Sequence, residues 1–125
     1  MSNNSHRLEG LRILVAEDEY FIAEEIVEMF KTAGASVIGP AQTVGDALAL
    51  VMDGEALHGA VLDICLHGEM VFPVADELAQ RGVPFVFTTG YDKSTLPDRF
   101  STVTRCEKPV DPDQILGALF GAGVG

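Results

Sequence analysis

Five short strand-like runs punctuate the chain, four of them ending in polar residues, and longer stretches, most with helical spacing, separate them. Residues 11–16 (LRILVA) are rich in branched side chains and bounded by acidic ones, which suits a buried strand. Phe21, Ile22, Ile26, Met29 and Phe30 then recur at helical spacing, with Glu24, Glu25 and Glu28 on the other side and Gly34 as a stop. Residues 36–39 form a second short strand. Thr43, with Asp46 three residues on, caps a helix carrying Val44, Ala47, Leu48, Leu50 and Val51, which Asp53-Gly54 closes. Residues 59–64 (GAVLDI) form the third strand and residues 71–79 the third helix, with Pro73 near its start, where proline is best tolerated, and Arg81-Gly82 at its end. Residues 83–88 (VPFVFT) and 102–106 (TVTRC) are the fourth and fifth strands. Asp111 caps a last helix with Pro112 in first position and Ile115, Leu116, Leu119 and Phe120 inward.

Strands alternating with amphipathic helices predict a doubly wound α/β domain, a parallel sheet with helices on both faces and right-handed crossovers. The domain is expected over 11–121, with a flexible leader at 1–10 and a frayed tail at 122–125. Only twelve residues, 90–101, join the last two strands, and they include Pro97 and the turn-prone Asp92 and Ser94. The fourth helix is therefore expected to be short or irregular.

Composition narrows the class. At 125 residues the chain fits one core, no apolar run approaches the ~18 residues of a membrane helix, and the polar start lacks the pattern of a secretion signal. A cytoplasmic protein with no membrane partner is expected. Two cysteines, Cys65 and Cys106, sit in apolar surroundings and imply neither a disulfide framework nor a zinc site. A net charge of −11 argues against direct nucleic-acid binding, which depends on basic side chains. His6, His58 and His67 read as ordinary surface residues.

Within AVLDICL, residues 60–66, Asp63 stands alone among apolar neighbours. An unpaired buried carboxylate is costly enough to shift its own pKa, so Asp63 is a turn residue at a strand end, a cation partner or a chemical group. Ligands of parallel sheets bind beyond the carboxyl ends of the strands. Those ends carry Glu17-Asp18, Asp63, Thr88-Thr89-Gly90 and Glu107-Lys108-Pro109. Asp18 alone reads best as a helix cap, but three carboxylates in one crevice repel and call for a cation. A divalent ion with oxygen ligands answers that need, Mg²⁺ (or Mn²⁺), with Asp18 and Asp63 as ligands, Glu17 acting through water and the backbone carbonyl of Cys65 completing the shell. Lys108 and the Thr89 hydroxyl would then receive phosphoryl oxygens, and Asp63 would be the nucleophile of an aspartyl phosphate.

The acidic pair in LVAEDE, Asp63 in VLDI, the Thr-Gly of FVFTTGY and the Lys-Pro of CEKP, in that order over residues 11–120, resemble the receiver domain of two-component response regulators. The resemblance implies a flavodoxin-like strand order 2-1-3-4-5 and Mg²⁺-dependent transfer of a phosphoryl group from a sensor kinase histidine to Asp63. It implies a stand-alone switch or phosphate sink rather than an enzyme, partnered by that kinase and by a downstream protein or histidine phosphotransferase. FVFTTGY also resembles the Phe-Ala-Thr-Gly-Tyr signature of a subgroup matched to kinases of the HWE or related class, with Thr88 in place of alanine. Arg105 occupies the position where many receivers carry a switching aromatic residue, so the response is expected in the short segment after Tyr91, with Gly90, Tyr91 and Arg105 as the switch region. The competing class is a phosphohydrolase with an aspartyl nucleophile; such enzymes usually carry a second acid two positions on, where this chain has Cys65.

Overall fold

The computed structural model describes residues 8–90 and 96–121. Five parallel strands form the main sheet: β1 (Arg12–Ala16), β2 (Ser36–Ala41), β3 (Gly59–Asp63), β6 (Phe85–Thr89) and β7 (Arg105–Glu107). Their spatial order, β2-β1-β3-β6-β7, is the flavodoxin-like order expected from the sequence. Between β3 and α3 lies a small antiparallel hairpin, β4 (Cys65–Leu66) and β5 (Glu69–Met70). The helices are α1 (Tyr20–Thr32), α2 (Val44–Met52), α3 (Phe72–Gln80) and α4 (Pro112–Phe120), with a 3-10 turn at Asp98–Phe100 where a fourth full helix would otherwise stand.

Side chains alternate across the sheet and divide the interior in two. Leu14, Leu62 and Phe87 pack with Val44, Ala47 and Val51 of α2 and Val74, Ala75 and Leu78 of α3. Ile13, Val15, Val61 and Val86 pack on the other face with Ile26 and Phe30 of α1 and Ile115, Leu116 and Leu119 of α4. Helix ends follow the local chemistry. The Thr43 side chain accepts from the Asp46 N–H, the Asp111 side chain accepts from the Asp113 N–H, and Pro73 sits in the first turn of α3 without breaking it.

Several expectations shift. Phe21, expected inward, is 81% exposed, because Ala23, Ile26 and Phe30 set the buried stripe of α1. Leu8, expected in the leader, is fully buried, and its N–H donates to the Ala33 carbonyl at 2.8 Å, so it belongs to the packed body. The last strand is Arg105–Glu107 rather than 102–106: the Val103 N–H donates to the Phe100 carbonyl and stays with the preceding turn, while the Thr104 carbonyl accepts from the Phe87 N–H of β6. That turn is fastened by Phe100, buried among Phe72, Phe85 and Phe87, and by a two-pronged Arg99–Asp76 pair at 2.7 and 2.9 Å. Asp92 and Ser94 lie outside the described residues.

The second strand runs two residues past its expected end because Gly39 bends it. Gly39 has φ of +102°, and a Cβ there would stand 2.7 Å from the Val15 carbonyl oxygen and 2.8 Å from the Ala41 nitrogen. The bend brings the Ala41 carbonyl to the Glu17 N–H at 2.9 Å and so positions the first acidic residue of the site. Gly39→Ala is expected to lower unfolding stability by about 1–3 kcal/mol, read from the denaturant midpoint, since both obstructing atoms are backbone and cannot turn aside.

Candidate functional site

The carboxyl ends of β1, β3, β6 and β7 meet in a crevice of about 560 Å³ lined by Asp18, Glu19, Asp63, Ile64, Cys65, Met70, Thr89, Gly90 and Lys108. Glu17 lies beneath it, 1% exposed. One oxygen each of Glu17, Asp18 and Asp63 falls within 4.8 Å of the others, so the three carboxylates expected to converge do so.

Lys108 is the cation of this cluster. Its Nζ donates to Asp63 Oδ2 at 2.9 Å and to Glu17 Oε2 at 3.2 Å, while its backbone N–H donates to the Thr89 carbonyl at 2.9 Å. The backbone bond, one residue beyond β7, fixes where the long side chain starts. Gly90 packs beside that stem, its missing Cβ 3.9 Å from Lys108 Cδ. Burial alone would lower the Lys108 pKa, but the hydrogen bonds and charges of Asp63 and Glu17 outweigh it and raise it above the ordinary lysine range.

The hairpin holds the other side. The Cys65 N–H donates to Asp63 Oδ1 at 3.2 Å and the His67 N–H donates to Asp18 Oδ2 at 2.9 Å. Asp63 therefore does have a local turn bond, although its second oxygen is engaged by Lys108. Asp18, which alone reads as a helix cap, does not cap α1: Glu19 stands at that position and makes no side-chain cap bond. Asp18 is turned toward the hairpin instead. His67 (φ 48°) and Gly68 (φ +81°) are both left-handed, which is the backbone requirement of a tight two-residue turn.

Glu17 carries the largest electrostatic burden. Its Oε2 accepts from the Glu19 N–H at 3.0 Å and from Lys108, but its Oε1 is buried with no hydrogen-bond partner among the described residues. Burial first, then the hydrogen bond and charge of Asp63, raise its pKa from 4.5 to about 7. A carboxyl that binds its proton more tightly when folded stabilises the fold at pH below ~4.5 and loses that contribution as pH rises through about 7. In metal-free protein the denaturant midpoint of Glu17→Gln is thus expected to gain on wild type between pH 5 and pH 8. Parallel curves would show that Glu17 is not the titrating group.

An all-oxygen donor set with one buried oxygen lacking a partner suits a hard divalent cation better than a soft one. Thr89, 3% exposed, reaches the crevice at the end of β6 as expected, as does Cys65 after β3. Arg105 opens β7, exposed and opposite Phe87, and does not line the crevice. Tyr91 lies outside the described residues. Glu19, Ile64 and Met70 also line the crevice and were not singled out from sequence; His67-Gly68, between Leu66 and Glu69, is the signal that marks the hairpin that carries Met70.

No protein-family model matches the chain. Among curated proteins, the sensor protein TorS of Escherichia coli K12 is 32% identical over 122 residues, which span 94% of this chain and 13% of TorS. Among solved structures, SdrG from Pseudomonas melonis Fr1 in its BeF3-activated conformation is 38% identical, covers 86% of this chain and 92% of its own, and superposes with a TM-score of 0.69. The response regulator PhyR from Brucella abortus is 27% identical with a TM-score of 0.72, covering 93% of this chain, which spans 51% of the PhyR chain.

Proposed function

Because the chain belongs to the receiver-domain family of two-component response regulators, we propose that it is a phosphorylation switch with Asp63 as phosphoryl acceptor. The observation that carries this reading is the Asp63 carboxylate at the crevice floor, bonded to Lys108 and grouped with Glu17 and Asp18. An Asp63 oxygen attacks the donor phosphorus as the bond to the donor histidine or acetate breaks and its electron pair leaves with that group. Lys108, released from Asp63, then pairs with a phosphoryl oxygen, and the Thr89 hydroxyl donates to another. Glu17, Asp18, Asp63 and the Cys65 carbonyl would hold Mg²⁺ or Mn²⁺, which when bound offsets the charge gathered there. The BeF3-activated form of SdrG supports the reading, since trifluoroberyllate stands in for a phosphoryl group.

A phosphoryl group adds a charge of about −1.5 to −2 at one end of the sheet. The output is assigned to the chain following Thr89, beginning at Gly90 and Tyr91, with Arg105 in place of an aromatic switch. The phosphoryl source is a sensor histidine kinase of the HWE or a related class, and the recipient is a downstream protein or a histidine phosphotransferase. The test is incubation with Mg²⁺ and acetyl phosphate followed by intact mass and peptide mapping. One phosphoryl group on the peptide containing Asp63 is expected; a label elsewhere, or steady turnover of small phosphate esters, overturns the reading.

A further inference from the structure

We propose that Met70 is a water shield over the acceptor, setting how long a phosphoryl group survives on Asp63; this rests on the reading of Asp63 as acceptor. Five of the nine residues lining the crevice are polar or charged, and the Ile64 side chain is buried. Met70 is the exception, a large apolar side chain that is 44% exposed yet borders the cavity. Exposure of this kind is not packing, because no core cluster among the described residues includes Met70.

What places Met70 there is backbone. It pairs with Cys65 across β4–β5, two residues from the acceptor. The next residue, Val71, is fully buried and its N–H donates to the Ile64 carbonyl at 2.8 Å. The turn end of the hairpin is tied to Asp18 through the His67 N–H. Both ends of the hairpin are fixed, so Met70 is held at the rim.

Loss of the phosphoryl group requires water. Its oxygen bonds to phosphorus, the phosphorus–Oδ bond breaks with its electron pair returning to the Asp63 carboxylate, and both water protons leave with inorganic phosphate. The attacking oxygen must enter from the open side of the crevice, opposite the carboxylate. A thioether at that rim offers water no hydrogen-bond partner of useful strength and occupies volume that an alanine would open.

The experiment labels wild type, Met70→Leu, Met70→Gln and Met70→Ala with acetyl phosphate and Mg²⁺, removes the donor by desalting and follows the label by intact mass, with circular dichroism as the check on folding. Met70→Ala and Met70→Gln are expected to shorten the half-life by about fivefold, and Met70→Leu to stay within about twofold of wild type. A labelled Met70→Ala protein that decays like wild type, or a Leu variant that decays as fast as the Gln variant, overturns the shield alone. A wild-type chain that takes no label under these conditions overturns the acceptor reading, and the shield with it.

Discussion

Asp63→Asn is expected to do two things that no surface substitution does together: abolish phosphoryl labelling and raise stability. An amide oxygen is too weak a nucleophile to attack phosphorus at neutral pH, so the labelled fraction falls to background. Stability rises because Asp63 is one of two buried carboxylates that share a single ammonium, and its hydrogen bond and charge are among the causes that hold the Glu17 pKa near 7. Asparagine removes that repulsion while its carbonyl oxygen still accepts from Lys108, an estimated gain of about 1 kcal/mol at neutral pH without added metal. Retained labelling would exclude Asp63 as the acceptor. A loss of stability would mean that the Asp63–Lys108 bond outweighs the repulsion.

Lys108→Met is expected to act in the opposite sense. Lys108, Glu17 and Asp63 have side-chain exposures of 12%, 1% and 9%, so removing the ammonium leaves two carboxylates in a poorly solvated place without a counter-charge. Breaking a buried pair from one side costs about 3 kcal/mol. The loss should be larger at pH 8 than at pH 5.5, because protonation of Glu17 relieves part of the imbalance at the lower pH. Denaturant midpoints at the two values measure this directly. An equal loss at both would assign the effect to packing of the lysine stem. With acetyl phosphate present, the same variant is expected to separate acceptance from response, because the proposed mechanism has Lys108 leave Asp63 for a phosphoryl oxygen.

The main sheet was legible chiefly through β1, β3 and β6, whose buried apolar runs end in or are followed at once by polar residues. The same feature made most of the site legible: in a parallel sheet the strand ends share one edge, so Glu17, Asp18, Asp63, Thr89 and Lys108 could be grouped from their positions alone. What was not legible depends on contacts between distant segments. Phe21 has the spacing of an inward residue, and only the way α1 lies on the sheet turns it to solvent. Leu8 follows six polar or basic residues after Met1 and is buried because its side chain joins the apolar cluster of Ile26 and Phe30, with its N–H bonded to the Ala33 carbonyl. The two-residue strands of the hairpin are too short to show a period. Their pairing follows from a turn at His67-Gly68 and from a bond to Asp18, 49 positions away.

The hairpin also bears on how such a site can be adjusted over generations. Its strands belong to a sheet of their own, outside the main sheet, and its tip and second strand, His67 to Met70, are exposed. Substitutions there leave the interior of the domain intact. Yet two of its amides grip Asp63 and Asp18, and one of its side chains borders the crevice. On the proposed reading, chemistry seated at the end of a buried sheet is open to tuning from a stretch of surface, and the timing of the proposed switch could drift while the fold that carries it stays fixed.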